Sequence, residues 1–195
     1  EETNYTLDQA ELGKLPKQAA FYKENIEPIM QKESTRVFVI ISDALRFEAG
    51  AELRERLDAR ANGSATISPL VANMPTYTQL GMASLLPHKT LTISPNGTVL
   101  ADGEPTNGLT NRIKILQKFE PEAVAFRFDE ISSWTRATAD EQLKGKRLVY
   151  VYHDVIDAMG DSVKSERETY VAVERAMDDL VKLVDLLSRW QAKRI

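Results

Sequence analysis

The chain reads as an α/β protein: a three-layer α/β/α sandwich around a mostly parallel central sheet. Three observations carry that expectation. Continuous runs rich in β-branched and aromatic residues recur as VFVII at 37–41, AVAFRF at 123–128 and LVYVY at 148–152. An apolar run without alternation marks a strand covered on both faces, as in a parallel sheet. Segments with helical apolar spacing lie between these runs, and such alternation implies crossover connections and parallel pairing.

Bulk properties set the limits. The 195 residues suffice for one sizeable domain with a real core. Hydrophobic residues make up 43% and charged residues 28%, ordinary values for a soluble globular protein. No apolar run approaches the roughly 18 residues of a membrane span, and no secretory signal opens the sequence. Cysteine is absent, so disulfides and thiolate metal sites are excluded, which suits a cytoplasmic location. The net charge of −4 argues against broad attraction to nucleic acid, leaving room for a local basic groove. Both ends read as cut, EETNYT without an initiator Met and a stop just as a long helix finishes. The expectation is an excised piece of a larger protein.

Along the chain, residues 1–35 form a helical lead-in, with Ala19 to Met30 as its helix and Pro28 weakening it. Residues 36–195 form the main domain. After the strand at 37–41, a helix runs from Phe47 to about Leu57 with Ala51, Leu53 and Leu57 on its apolar face. Asn62-Gly63 breaks the pattern, and ATISPLVA at 65–72 reads as a second strand. NMPTYTQLGMASLLP at 73–87 is a loop entering a helix at Thr78. KTLTISPNGTVLA at 89–101 places two short strands around Pro95-Asn96-Gly97, a hairpin signal. Leu109, Ile113, Leu116 and Phe119 mark a helix. AVAFRF is the third strand, 131–143 a polar helical stretch, and LVYVY the fourth strand. Ser165 to Ala192 is one long amphipathic helix with a Tyr170, Val173, Met177, Leu180, Val184, Leu187 stripe that reads as a core face.

Acidic and hydroxyl residues gather just after predicted strands: Asp43; Thr76 and Thr78; Asp154, Asp157 and Asp161. In open α/β sheets ligands bind beyond the carboxyl ends of the strands. Carboxylates gathered there repel one another unless a cation neutralises them, which favours a divalent metal. The plainer reading makes Asp43 and Thr78 helix caps and the later aspartates turn residues. A Thr hydroxyl opening a helix also suits a phosphate, and a metal would activate it as a nucleophile. With only His88 and His153 present, a His-rich zinc site within this chain is excluded. P-loop, dinucleotide and Gly-x-Ser-x-Gly motifs are missing. Leu45 stands where a second aspartate would mark a haloacid-dehalogenase-type phosphatase.

The strings VFVIISDALRFEAG, MPTYTQLGMASLLP and VYVYHDVIDAMGD, in that order, resemble the alkaline phosphatase superfamily. Their wording is similar to the PglZ family of BREX phage-defence systems. The resemblance spans about residues 36–161 and implies an alkaline-phosphatase-like sandwich. Position by position, Asp43 matches the first metal-ligand aspartate. Thr78 matches the Thr nucleophile of the phosphodiesterase branch, and is preferred over Thr76. Asp157 and Asp161 match an Asp-x-x-Gly-His ligand pair, with Asp in place of His. That exchange shifts preference toward harder cations such as manganese.

The resemblance implies two divalent ions, zinc or manganese, about 3.5–4 Å apart. Asp43 and Thr78 serve one ion, Asp157 and Asp161 the other. Further ligands of the superfamily, an Asp-His pair and a His, fall beyond Ile195, so the fragment is expected to be inactive alone. The implied function is a metal-dependent phosphatase or phosphodiesterase, with nucleic acid as one substrate class. Implied partners are other BREX components such as a DNA methyltransferase, and no membrane. The alternatives are a non-catalytic scaffold assembling the defence complex, or a nucleotide sensor without turnover.

Overall fold

A computed structural model describes residues 13–32, 34–60, 63–156, 166–190 and 192–195. The helix expected at Ala19 to Met30 forms, but in three registers: a 3₁₀ turn at Gln18–Ala20, a π-helical stretch at Tyr22–Ile26, and α1 at Glu27–Lys32. Pro28 lies just past the π-helical stretch inside this continuous helical run, and without an N–H it cannot donate to the preceding turn. Tyr22 and Ile26 are buried in the same apolar cluster as the first strand, so the lead-in packs on the sheet.

β1 (Val37–Ser42) is followed by α2 (Phe47–Asp58), which buries no residue completely. The expected strand at 65–72 does not form. Its backbone makes one isolated bridge, Val71 to Lys17, and most of its side chains are exposed. Pro69 lacks a backbone donor, and β-branched residues make a strand only where a neighbour covers them. α3 (Thr78–Ser84) begins at the predicted residue. The hairpin is confirmed: β2 (Leu91–Ile93) pairs antiparallel with β3 (Val99–Ala101), Ile93 opposite Val99, and Gly97 supplies φ +84° in the turn. β4 (Glu104–Pro105) adds a third short strand to this second sheet.

α4 (Leu109–Phe119) leads into β5 (Ala123–Arg127). The polar stretch after it holds two helices, α5 (Phe128–Ser132) and α6 (Arg136–Gln142). Thr135 separates them by capping α6, its side chain accepting from the Thr138 N–H at 3.2 Å. β6 (Leu148–His153) and α7 (Glu166–Arg189) complete the order.

The main sheet has the order β1-β6-β5, all parallel. β6 is therefore the central strand and is buried at every residue. β1 has β6 on one side. On its other side Arg194 bridges to Val37, and the Phe38 N–H donates to the Arg194 carbonyl at 3.0 Å. Helices cover both faces. On one, Val39, Ile41, Tyr150 and Ala125 meet Ile26, Leu86 and Leu116. On the other, Phe38, Val149, Val151 and Phe126 meet Ile131, Leu183, Leu187 and Trp190.

The long helix buries Ala172, Ala176, Leu180, Leu183 and Leu187, in steps of three or four residues, and Trp190 just past its end is buried as well. Its apolar stripe is a core face, as read. Tyr170 departs from that reading: it is 67% exposed. Arg56 ties α2 to α7 through Glu174 at 2.8 Å and Asp178 at 3.2 Å, and also pairs with Glu52 one turn back.

Candidate active site

At the carboxyl end of the parallel sheet the strands deliver their polar residues. Asp43 follows the last residue of β1, and its N–H donates to the His153 carbonyl at 2.8 Å, carrying the ladder one step past the strand. Ala44 then adopts φ +61°. That left-handed conformation costs a non-glycine residue about 1–2 kcal/mol. It turns the chain sharply out of the sheet, and strain of this kind gathers at functional sites. The cap of α2 is Arg46, so Asp43 is not its helix cap.

Thr78 is the first helical residue of α3, and the cap position belongs to Tyr77, which makes no side-chain capping bond. The plain cap reading therefore fails for Thr78 as well. Its helix is held from below. Leu80, Met82, Ala83 and Ser84 are buried; the Ser84 hydroxyl donates to the Leu80 carbonyl at 2.6 Å; and the Tyr150 hydroxyl donates to the Leu85 carbonyl at 2.9 Å.

Two adjoining cavities share Asp43 and Thr78. The larger, about 820 Å³, is also lined by Arg46, Asn73 and Thr76. The smaller, about 220 Å³, brings in Asp154, His153, Tyr152, Arg112 and Arg127. Asp43, Thr78 and Asp154, singled out from three separate stretches, are thus together, while Thr76 lines only the larger cleft. Asp157 and Asp161 lie outside the described residues.

Sequence reasoning missed the cations and the phenol. Arg127 follows an apolar run just as Asp43 does, so the same strand-end rule finds it. Arg112 lies mid-helix and carries no such signal. Its Nε donates to the Thr106 carbonyl at 3.0 Å, and its guanidinium stands over the Tyr152 ring, 4.5 Å from the centroid. That is a cation–π placement, off the plane in which the phenol oxygen accepts. The Tyr152 hydroxyl and His153 Nε2 are buried without a hydrogen-bond partner among the described residues. His153 Nδ1 lies 2.9 Å from Ser42 Oγ, and Phe128 packs edge-on against the imidazole at 4.7 Å. Burial lowers the His153 pKa from its ordinary value, against the opposing pull of Asp179 and Asp154.

A family model for the BREX system PglZ alkaline phosphatase-like domain matches residues 21–195. This chain belongs to the PglZ family. It is 38% identical over 173 residues to the Alkaline phosphatase-like protein PglZ of Bacillus cereus (strain H3081.97), covering 89% of this chain and 20% of that protein. It is 35% identical over 185 residues to the Alkaline phosphatase-like protein BrxZ of Escherichia coli O9:H4 (strain HS), covering 93% and 21%. The chain therefore spans about a fifth of the length of these PglZ relatives.

Alkaline phosphatase-like proteins generally use divalent metals, so the donor set bears testing. Among the described residues no group of three or more His, Asp or Glu side chains converges to hold an ion. What they offer is a partial, oxygen-rich set of the right chemistry: the Asp43 carboxylate, the Thr78 hydroxyl and the Asp154 carboxylate around one cavity. Among the described residues no helix is long and apolar enough to cross a membrane.

Proposed function

We propose that the PglZ protein containing this chain is a metal-dependent phosphoric ester hydrolase, a phosphatase or phosphodiesterase, with Thr78 as its nucleophile. One observation carries the reading. Asp43 and Thr78, borne by different elements and 35 residues apart in sequence, line the same small cavity at the carboxyl end of the parallel strands. In this reading the domain is a three-layer sandwich. Residues 1–35 are its lead-in and 36–195 its first part, and the remaining metal ligands come from elsewhere in the protein.

Thr78 Oγ attacks phosphorus, forming an O–P bond as the bond to the departing alcohol breaks. The threonine proton leaves to solvent in the open cleft, and the departing oxygen takes up a proton. Water then attacks the phosphothreonine, releasing phosphate or a phosphomonoester and restoring the hydroxyl. Asp43 and Thr78 would hold one divalent ion, zinc or manganese, and Asp157 with Asp161 a second. When bound, such ions supply charge neutralisation and a lowered hydroxyl pKa. Phosphodiesters of nucleic acid are the proposed substrate class, cytoplasm the location, and other BREX components such as a methyltransferase the partners.

A second reading, a non-catalytic scaffold, is favoured by one observation: Asp161 stands where the superfamily motif has His. Hydrolysis of bis-p-nitrophenyl phosphate and p-nitrophenyl phosphate by a full-length protein carrying this chain separates the two. With zinc or manganese, and with chelator as control, the enzyme reading expects chelator-sensitive release that Thr78→Ala abolishes. A folded protein silent under every metal favours the scaffold.

A further inference from the structure

The mouth of the smaller cavity carries more than a nucleophile and a carboxylate. Arg127 is the register partner of Tyr152 across β5 and β6, so both side chains leave the same face of the sheet. That face is the one covered by α4, from which Arg112 reaches over the Tyr152 ring. The Arg112 Nε donates to the Thr106 carbonyl, and the guanidinium fork carries further donors beyond that one. Tyr152 is 92% buried by its 8% exposure, yet its hydroxyl has no hydrogen-bond partner among the described residues. A buried hydroxyl left unpaired is costly, so the phenol is set for a partner that the described residues do not provide. The remaining charges matter too. Asp43 and Asp154 line the same cavity and would repel an anion; the two guanidinia balance them.

We propose that Arg112, Arg127 and the Tyr152 hydroxyl form a clamp for the non-bridging oxygens of a phosphate group held beside Thr78. The clamp deepens the reading above and rests on Thr78 as the attacking group. Every member is a donor. The guanidinia are always charged, and their planar forks match phosphate geometry. A phenol keeps its proton at neutral pH, so the Tyr152 hydroxyl donates. The same three groups would draw charge from the equatorial oxygens in the transition state, where such donors contribute most. The ligand class is an anionic phosphoric ester or inorganic phosphate.

The test is titration of the full chain with inorganic phosphate, followed by calorimetry and by the arginine Nε–H signals in ¹⁵N NMR. Saturable shifts of the Arg112 and Arg127 signals are expected. Arg127→Gln, at an exposed position, should weaken binding about tenfold, the loss of one charge-assisted contact. Tyr152→Phe keeps the ring and should weaken it several-fold. Absence of saturable binding overturns the clamp, as does binding indifferent to Arg127→Gln, whatever Tyr152→Phe does. Turnover that survives Thr78→Ala in the full-length protein would remove the nucleophile assignment while leaving an Arg127-dependent phosphate site standing.

Discussion

Tyr150→Phe removes a single oxygen from the central strand, and the structure fixes what that oxygen does. The Tyr150 side chain is fully buried, and its hydroxyl donates to the Leu85 carbonyl at 2.9 Å. Leu85 is the C-cap of α3, just past Ser84, and carbonyls at a helix C-terminus have no intrahelical donor. Phenylalanine keeps the ring, so no cavity term enters. The cost is one hydrogen bond plus desolvation of a carbonyl left unpaired, about 1–3 kcal/mol. Leu85 is only partly buried, so some rehydration is open to it and the expected loss is about 1–2 kcal/mol. Urea unfolding followed by far-ultraviolet circular dichroism reads the change as a lower midpoint at unchanged slope. Hydrogen exchange should quicken first in α3, the element that carries Thr78, since its tether to the sheet is what is lost. A change below about 0.3 kcal/mol, or faster exchange spread evenly over the domain, would refute the claim that this bond ties α3 to β6.

Other consequences are simpler to state. Ala44→Gly relieves the left-handed strain at φ +61° and should raise stability by up to about 1 kcal/mol, part of the gain being offset by glycine's greater unfolded-state entropy; thermal unfolding measures it, and a lower melting temperature would contradict it. Leu187→Ala empties a fully buried position between α7 and the sheet and should cost about 2–5 kcal/mol in urea unfolding; a loss under 1 kcal/mol would mean the site collapses. For His153, burial holds the folded pKa below its ordinary value, so below about pH 6.5 the unfolded chain binds a proton that the folded chain does not. Its contribution is therefore complete above that pH and is lost as pH falls toward the folded value. His153→Asn should flatten this part of the stability profile, and an unchanged slope would assign it to other groups.

Much of the fold was legible because the parallel sheet is buried on both faces. β1, β5 and β6 appear as uninterrupted apolar runs, and α4 and α7 as helical periods, since each has one environment along its length. The stretch at 65–72 misled because strand propensity measures fit to a covering neighbour, and Ile67 and Leu70 remain more than a third exposed. The centrality of β6 over β1 depends on pairing order, which no local pattern encodes. In the candidate site, Asp43 and Asp154 were legible from one geometric rule, that polar residues after parallel strands face the ligand; Thr78 was singled out by the same rule only because 65–72 reads as a strand, which does not form. Arg112 and Tyr152 were not. One is a charged residue in the middle of a helix and the other an aromatic within an apolar run, so their roles arise only when α4 folds over β6. Asp157 and Asp161, which the family resemblance assigns to a second ion, stand as proposals.

The central claim is that Thr78 carries the phosphoryl group during turnover. Its most direct test is rapid acid quench of the full-length protein with substrate and metal, followed by peptide mass spectrometry across residues 73–87. The account predicts phosphothreonine at Thr78, absent with chelator and absent in Thr78→Ala. Steady turnover with no phosphopeptide, or with the label on Thr76, would contradict it.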